Sequence, residues 1–86
     1  MKREIMLILV DTRKDQAPYV QKILTEWGCL IKTRLGLHDG VLDNCSNSGL
    51  IILELVGEKE KQVQLKDRLN VLPGVKAKVI DIELDD

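Results

Sequence analysis

Two apolar runs, Ile5-Met-Leu-Ile-Leu-Val10 and Leu50-Ile-Ile-Leu-Glu-Leu-Val56, the second interrupted only by Glu54, constrain this chain more than any other feature. Each is too short for a helix and is bounded by charge or glycine. Runs that are apolar at both parities read as strands buried on two faces, at the centre of a sheet. The remaining segments must supply the edges and the cover.

Between the runs the period changes twice. After Asp11-Thr-Arg-Lys-Asp15, the residues Ala17, Val20, Ile23, Leu24 and Trp27 recur at helical spacing, with Gln16, Gln21, Lys22 and Glu26 opposite. Asp15 is positioned as an N-cap, Pro18 falls in the first turn where a missing N–H costs little, and Gly28 ends the helix. Cys29 to Leu37 then alternates, with Cys29, Ile31, Thr33, Leu35 and Leu37 on one face and Lys32 and Arg34 on the other. The polar stretch from His38 to Gly49 reads as a loop.

Beyond Gly57, Glu58-Lys-Glu-Lys-Gln62 opens a charged second helix. Its apolar stripe is Leu65, Leu69 and Leu72 with Val63 beside it, and Pro73-Gly74 stops it. Val75, Ala77 and Val79 alternate with Lys76 and Lys78 as a fourth strand. The parity shifts at Ile80, Ile82 and Leu84, which predicts a bulge or a separate role for that segment.

Strand, helix, strand, strand, helix, strand is the split βαβ pattern. Right-handed crossovers place strands one and three in the centre, two and four at the edges, and both helices on one face. The expectation is an α+β ferredoxin-like βαββαβ plait, strand order 4-1-3-2, forming a single domain over residues 1–86. Lys32, Arg34, Lys76 and Lys78 fall on the alternating strands, where they discourage stray edge pairing. An 86-residue chain holds one core, and with Tyr19 and Trp27 the only aromatics that core is aliphatic. Trp27, on the apolar stripe, reads as a core anchor.

Helices on one face leave the other face open, yet strands one and three are apolar on both. Either Met6, Ile8 and Val10 or Ile5, Leu7 and Leu9 must point away from the helices. Taking the first parity, with Leu50 and Ile52, the open face becomes an oligomer interface. A homodimer or higher even oligomer packed through it is expected, because a bare aliphatic face of several hundred Å² (on the order of 300–600) is at the limit soluble monomers show. The alternative is that Ile80, Ile82 and Leu84 fold back over it.

Composition excludes several functions. Thirteen basic and fourteen acidic residues leave a charge of −1, with no basic stripe for phosphates and no set of exposed aromatics for base stacking. No direct nucleic-acid partner is expected. The first apolar run is too short for a signal core or a membrane span, so no membrane partner is expected either. Two cysteines make no disulfide framework, which fits a reduced, cytoplasmic setting. A nucleophile needs a base within reach, and the single histidine has no obvious partner. The chain therefore reads as a non-enzyme with no cofactor implied, the last alternative being a small enzyme with a site built between subunits. Glu54, inside the third strand, reads as a paired or interfacial carboxylate.

Ligand chemistry concentrates in two places. His38-Asp-Gly-Val-Leu-Asp-Asn-Cys45 holds His38, Asp39 and Cys45; His38 and Cys45 offer an imidazole and a thiolate, the ligands of an alternative metal-sensing reading. Cys45-Ser-Asn-Ser-Gly49 presents Ser46, Asn47 and Ser48, whose hydroxyls and amides suit an anion, although turn chemistry alone explains the composition. Asp11 and Arg13 precede the first helix, whose N-terminal N–H groups attract anions.

The order of elements, Arg34-Leu-Gly-Leu37 and Leu72-Pro-Gly-Val75 resemble small stand-alone ACT-like proteins. Among these are the proposed regulators of the iron-only hydrogenase system, related in fold to the C-terminal domain of the nickel-responsive repressor. The resemblance implies a bacterial, cytoplasmic, homo-oligomeric regulator that senses a small ligand. Two positions depart from it. Asp11 is followed by Thr12 and Arg13 instead of the Asp-x-Pro-Gly turn of amino-acid-binding ACT domains, and His38 alone stands for the repressor's several metal-binding histidines.

Overall fold

The computed structural model describes residues 1–11, 14–41 and 44–85, and for 38–48 the backbone only. The elements follow the expected order: β1 (Lys2–Asp11), α1 (Ala17–Glu26), a 3-10 turn (Gly28–Leu30), β2 (Ile31–Val41), β3 (Asn44–Leu55), α2 (Lys59–Asn70) and β4 (Val75–Glu83). They form one four-stranded sheet in the order β2-β3-β1-β4, antiparallel at every junction. The two continuous aliphatic runs are its centre and the alternating strands its edges, as a ferredoxin-like plait requires.

The helix-covered face carries Met6, Ile8 and Val10 from β1, Ile51, Leu53 and Leu55 from β3, and Val75 and Ala77 from β4. Cross-strand partners share a face, and the register pairs Met6 with Leu53 and Val79, and Ile8 with Ile51 and Ala77. From above, α1 adds Val20, Ile23 and Leu24, and α2 adds Leu65 and Leu69. Trp27 packs half-buried against this cluster, the anchor its spacing predicts.

The parity assigned to the interface is therefore corrected. Met6 and Ile8 are wholly buried and Val10 nearly so, whereas Ile5, Leu7 and Leu9 point to the open side. Leu50 and Ile52 do lie on that side, in register with Leu9 and Leu7.

Four local expectations also change. First, the His38–Gly49 segment is not a loop: β2 continues to Val41 and β3 begins at Asn44, extending the hairpin past the last β1 pair, Asp11 with Ser48. Backbone pairing along an existing neighbour outweighs the weak strand propensity of these polar residues.

Second, β2 starts at Ile31, because Gly28 to Leu30 form the 3-10 turn and leave Cys29 exposed. Ile31 pairs with Leu55 but Thr33 with Glu54, so Lys32 is a bulge residue. The bulge moves the odd residues from the core face to the open face. Leu35 and Leu37 thus leave the helix side, while Arg34 and Gly36 enter it.

Third, α1 is preceded by Gln16 rather than capped by Asp15, which sits at φ 55 in the turn. Pro18 does occupy the first helical turn.

Fourth, β4 runs straight to Glu83 in unbroken register with β1. The predicted bulge is absent. Val75, Ala77 and Val79 face the helices, and Ile80 and Ile82 fall on the open face, where they enlarge it instead of covering it.

On α2, Leu65 and Leu69 are buried as their spacing predicts, but Gln62 is buried beside them and Val63 is partly exposed. Gln62 Nε2 donates to the carbonyls of Gly57 (3.2 Å) and Val56 (3.4 Å), closing the strand-to-helix turn. Gly57, at φ 89, is in the left-handed region, and a Cβ there would meet Leu30 Cδ2 at 2.9 Å.

Candidate functional site

The open face is built by the same alternation that fills the core. Its rows run across the sheet: Leu35, Ile52, Leu7 and Lys78, then Leu37, Leu50, Leu9 and Lys76. A third row holds Thr33, Glu54, Ile5 and Ile80. Strand spacings of about 4.8 Å and alternate-residue spacings of about 6.7 Å make the aliphatic block of the first two rows roughly 14 by 13 Å, with Ile5 and Ile80 continuing it in the third. Leu9 and Leu35 are each about half exposed, at 50% and 52%, which core aliphatics in a finished domain are not.

Charge frames this block. Arg3 Nη1 meets Glu54 Oε2 at 2.7 Å at one end, so Glu54 is the paired carboxylate its position predicts. Lys76 and Lys78 line the β4 side. On the helix side of the sheet, Lys59 of α2 bridges Asp81 at 2.6 Å and Glu4 at 3.8 Å. The hydrogen bond from Lys59 holds the Asp81 carboxyl below the usual carboxylate range. An apolar centre with a charged rim has the anatomy of a protein interface.

On the helix side, a slot of about 270 Å³ lies between α1 and the β2–β3 hairpin. Ala17, Val20 and Gln21 form its roof, and Val10, Gly36, Gly49 and Ile51 its floor. It exists because the two glycines put no side chain beneath the helix. A Cβ on Gly36 would meet nothing within 4 Å. Arg34, two residues before Gly36 on the same side of β2, donates a hydrogen bond to Gln21 Oε1. Sequence reading treated Gly36 as strand interior and missed this slot. The usable signal was a glycine flanked by leucines in a strand, which often marks a place another group approaches.

The residues singled out from sequence fare unevenly. Asp11 ends β1; its N–H donates to the Gly74 carbonyl at 2.7 Å and its Cα partner is Ser48. Asp11 and the far end of the hairpin thus share one end of the sheet. Arg13 lies outside the described residues. So do the side chains of His38, Asp39, Cys45, Ser46, Asn47 and Ser48; their backbones belong to the hairpin strands, with Gly40 paired to Cys45. Among the described residues no group of three His, Cys, Asp or Glu could hold a metal ion, and no helix is long and apolar enough to cross a membrane.

No protein-family model and no curated protein matches the chain. Solved structures do resemble it. An uncharacterized protein from Thermotoga maritima is 25% identical over 96% of this chain and 100% of its own, with a TM-score of 0.80. CPII, a nitrogen regulatory PII-like protein from Thiomonas intermedia K12 bound to ADP, AMP and bicarbonate, is 13% identical over 100% and 96%, with a TM-score of 0.65. A dimeric ferredoxin-like protein from an uncultured marine organism is 10% identical over 94% and 92%, with a TM-score of 0.55. PII-like and ferredoxin-like small proteins are thus the structural neighbours, and the chain has the α+β ferredoxin-like fold.

Proposed function

We propose that this chain is a non-enzymatic regulatory module that binds a small ligand and acts as a homo-oligomer packed through the open sheet face. The observation that carries the reading is the aliphatic block inside a charged rim, in which Leu9, Leu35 and Leu37 are about half exposed and Leu7, Leu50 and Ile52 only partly buried. Two such faces would stack about 10 Å apart, as sheets do in sandwiches, and exclude water from both. The ligand half of the reading draws support from the apolar slot beneath α1 and from the fold neighbours, one a PII-like protein bound to ADP, AMP and bicarbonate. The narrower resemblance, to regulators of the iron-only hydrogenase system in the bacterial cytoplasm, belongs to the same proposal. It rests on Arg34-Leu-Gly-Leu37 and Leu72-Pro-Gly-Val75.

A thermal-shift screen with ADP, AMP, bicarbonate and a panel of small metabolites tests the ligand half. Stabilisation follows RT ln(1 + [L]/Kd), about 2.7 kcal/mol at 100 times Kd. In a domain of this size that raises Tm by roughly 10–20 °C. Including nickel and zinc in the panel tests the metal-sensing alternative through His38 and Cys45. A flat response to every compound would contradict the ligand-binding role.

A further inference from the structure

The slot beneath α1 has an apolar floor, and beside it, hydrogen-bonded to Gln21 of its roof, stands the Arg34 guanidinium, which has no carboxylate partner among the described residues. We infer that the slot binds a small apolar monocarboxylate, its tail lodged over Gly36 and Gly49 and its carboxylate paired with Arg34. The inference rests on the reading of the chain as a small-ligand module and adds the chemistry of the ligand.

Size sets the first limit. An apolar cavity of about 150 Å³ takes benzene, and pockets for drug-sized ligands begin near roughly 300 Å³. At about 270 Å³ the slot falls between them, suited to a single ring or a short alkyl chain. A nucleotide is too large and too polar for it.

Charge sets the second. The guanidinium carries five N–H donors, and in this chain it donates to the neutral amide oxygen of Gln21, which is itself part of the slot's roof. Among the described residues Arg34 has no carboxylate partner. Two other cations are neutralised within the chain, Arg3 by Glu54 and Lys59 of α2 by Asp81 and Glu4; Lys76 and Lys78 lie on the opposite face of the sheet from the slot. A planar guanidinium at an apolar wall favours a carboxylate, which it can grip with two parallel hydrogen bonds. Gln21 holds it at that wall.

The test is an NMR titration of the full chain with hexanoate, hexanamide and hexylamine. Hexanoate is expected to move the amide signals of Gly36, Gly49 and Ile51 and the side-chain amide of Gln21. Hexanamide should bind at least about tenfold more weakly and hexylamine not measurably, since the charge-assisted bond is lost or reversed. Arg34→Gln should weaken hexanoate about tenfold and leave hexanamide unchanged. Gly36→Val puts a side chain into the slot from a position with open space around its Cβ, and should abolish binding of hexanoate and hexanamide while holding or raising Tm, because valine suits a strand better than glycine.

Equal affinity for hexanoate and hexanamide, or hexanoate shifts mapping elsewhere, would overturn the assignment. If compounds of the thermal screen bind while hexanoate leaves the slot unmoved, the assignment falls and the ligand-binding reading stands. If nothing binds in either experiment, both fall.

Discussion

The two faces of this sheet are made from the same residues and end up in opposite states. On β1, Met6 and Ile8 are 0% exposed, while Leu9, of the alternate parity, is 50% exposed. On β3, Leu53 is wholly buried between Ile52 and Glu54, which face the other way. Hydrophobicity alone does not distinguish the faces; helix cover does. One face holds the fold together and the other is apolar without a monomeric reason to be, so the free energy of folding and that of association should separate by mutation.

Substitutions on the covered face should have the largest effect on folding. Leu53→Ala removes a wholly buried side chain from the middle of the core and is expected to cost about 2–5 kcal/mol, measured by urea unfolding. A loss under about 1 kcal/mol would mean that the central strands are not packed beneath the helices as described.

The sheet's edge comes next. Asn70 reaches from the end of α2 to β4, where its side chain donates to the Ala77 carbonyl at 3.1 Å and accepts from the Ala77 N–H at 2.7 Å. Both backbone groups of an edge residue are thereby satisfied within the chain, which protects that edge. Asn70→Ala should cost about 1–2 kcal/mol. It should also speed amide exchange at Ala77 more than at residues paired only to β1.

The open face should behave in the opposite way. Leu7→Lys puts a charge in the middle of the aliphatic block without touching the core, so unfolding of the dilute monomer should shift by no more than about 0.5 kcal/mol. Self-association should disappear. If Leu7→Lys unfolds the chain as severely as Leu53→Ala, the contrast between the faces is lost.

Asp81 should give the smallest effect. Its carboxyl is held low by Lys59, so its contribution is present above the unfolded carboxylate pKa, near 3.8, and is lost as pH falls through the lower folded value. Because the pair is exposed, salt should screen it. Asp81→Asn is expected to leave Tm at pH 7 nearly unchanged and to flatten the acid limb of stability slightly. A large change at pH 7 would contradict the exposed placement.

Strand order was legible in the sequence because central and edge strands differ in composition. Parity was harder, since Ile5, Leu7 and Leu9 are chemically interchangeable with Met6, Ile8 and Val10. The signal lay in their partners: Glu54 shares a face with Ile52, and Lys76 and Lys78 share one with Leu9 and Leu7, so the charged parity marks the open side. The shift at Ile80 and Ile82, read as a bulge, was that face becoming apolar in β4. The extended hairpin at 38–49 was masked by turn-forming residues that a neighbouring strand nevertheless pairs. The slot under α1 depends on which side of β2 Gly36 occupies. The Lys32 bulge decides that, and alternation alone cannot show it.

If the open face packs against a second copy of the chain, association must depend on Leu7 and its neighbours. Sedimentation velocity of wild type and Leu7→Lys, from low to high micromolar protein, tests it most directly. A wild-type oligomer that dissociates on dilution and a folded, monomeric Leu7→Lys throughout are expected. A wild-type chain that stays monomeric at high micromolar concentration, sedimenting like the variant, would contradict it.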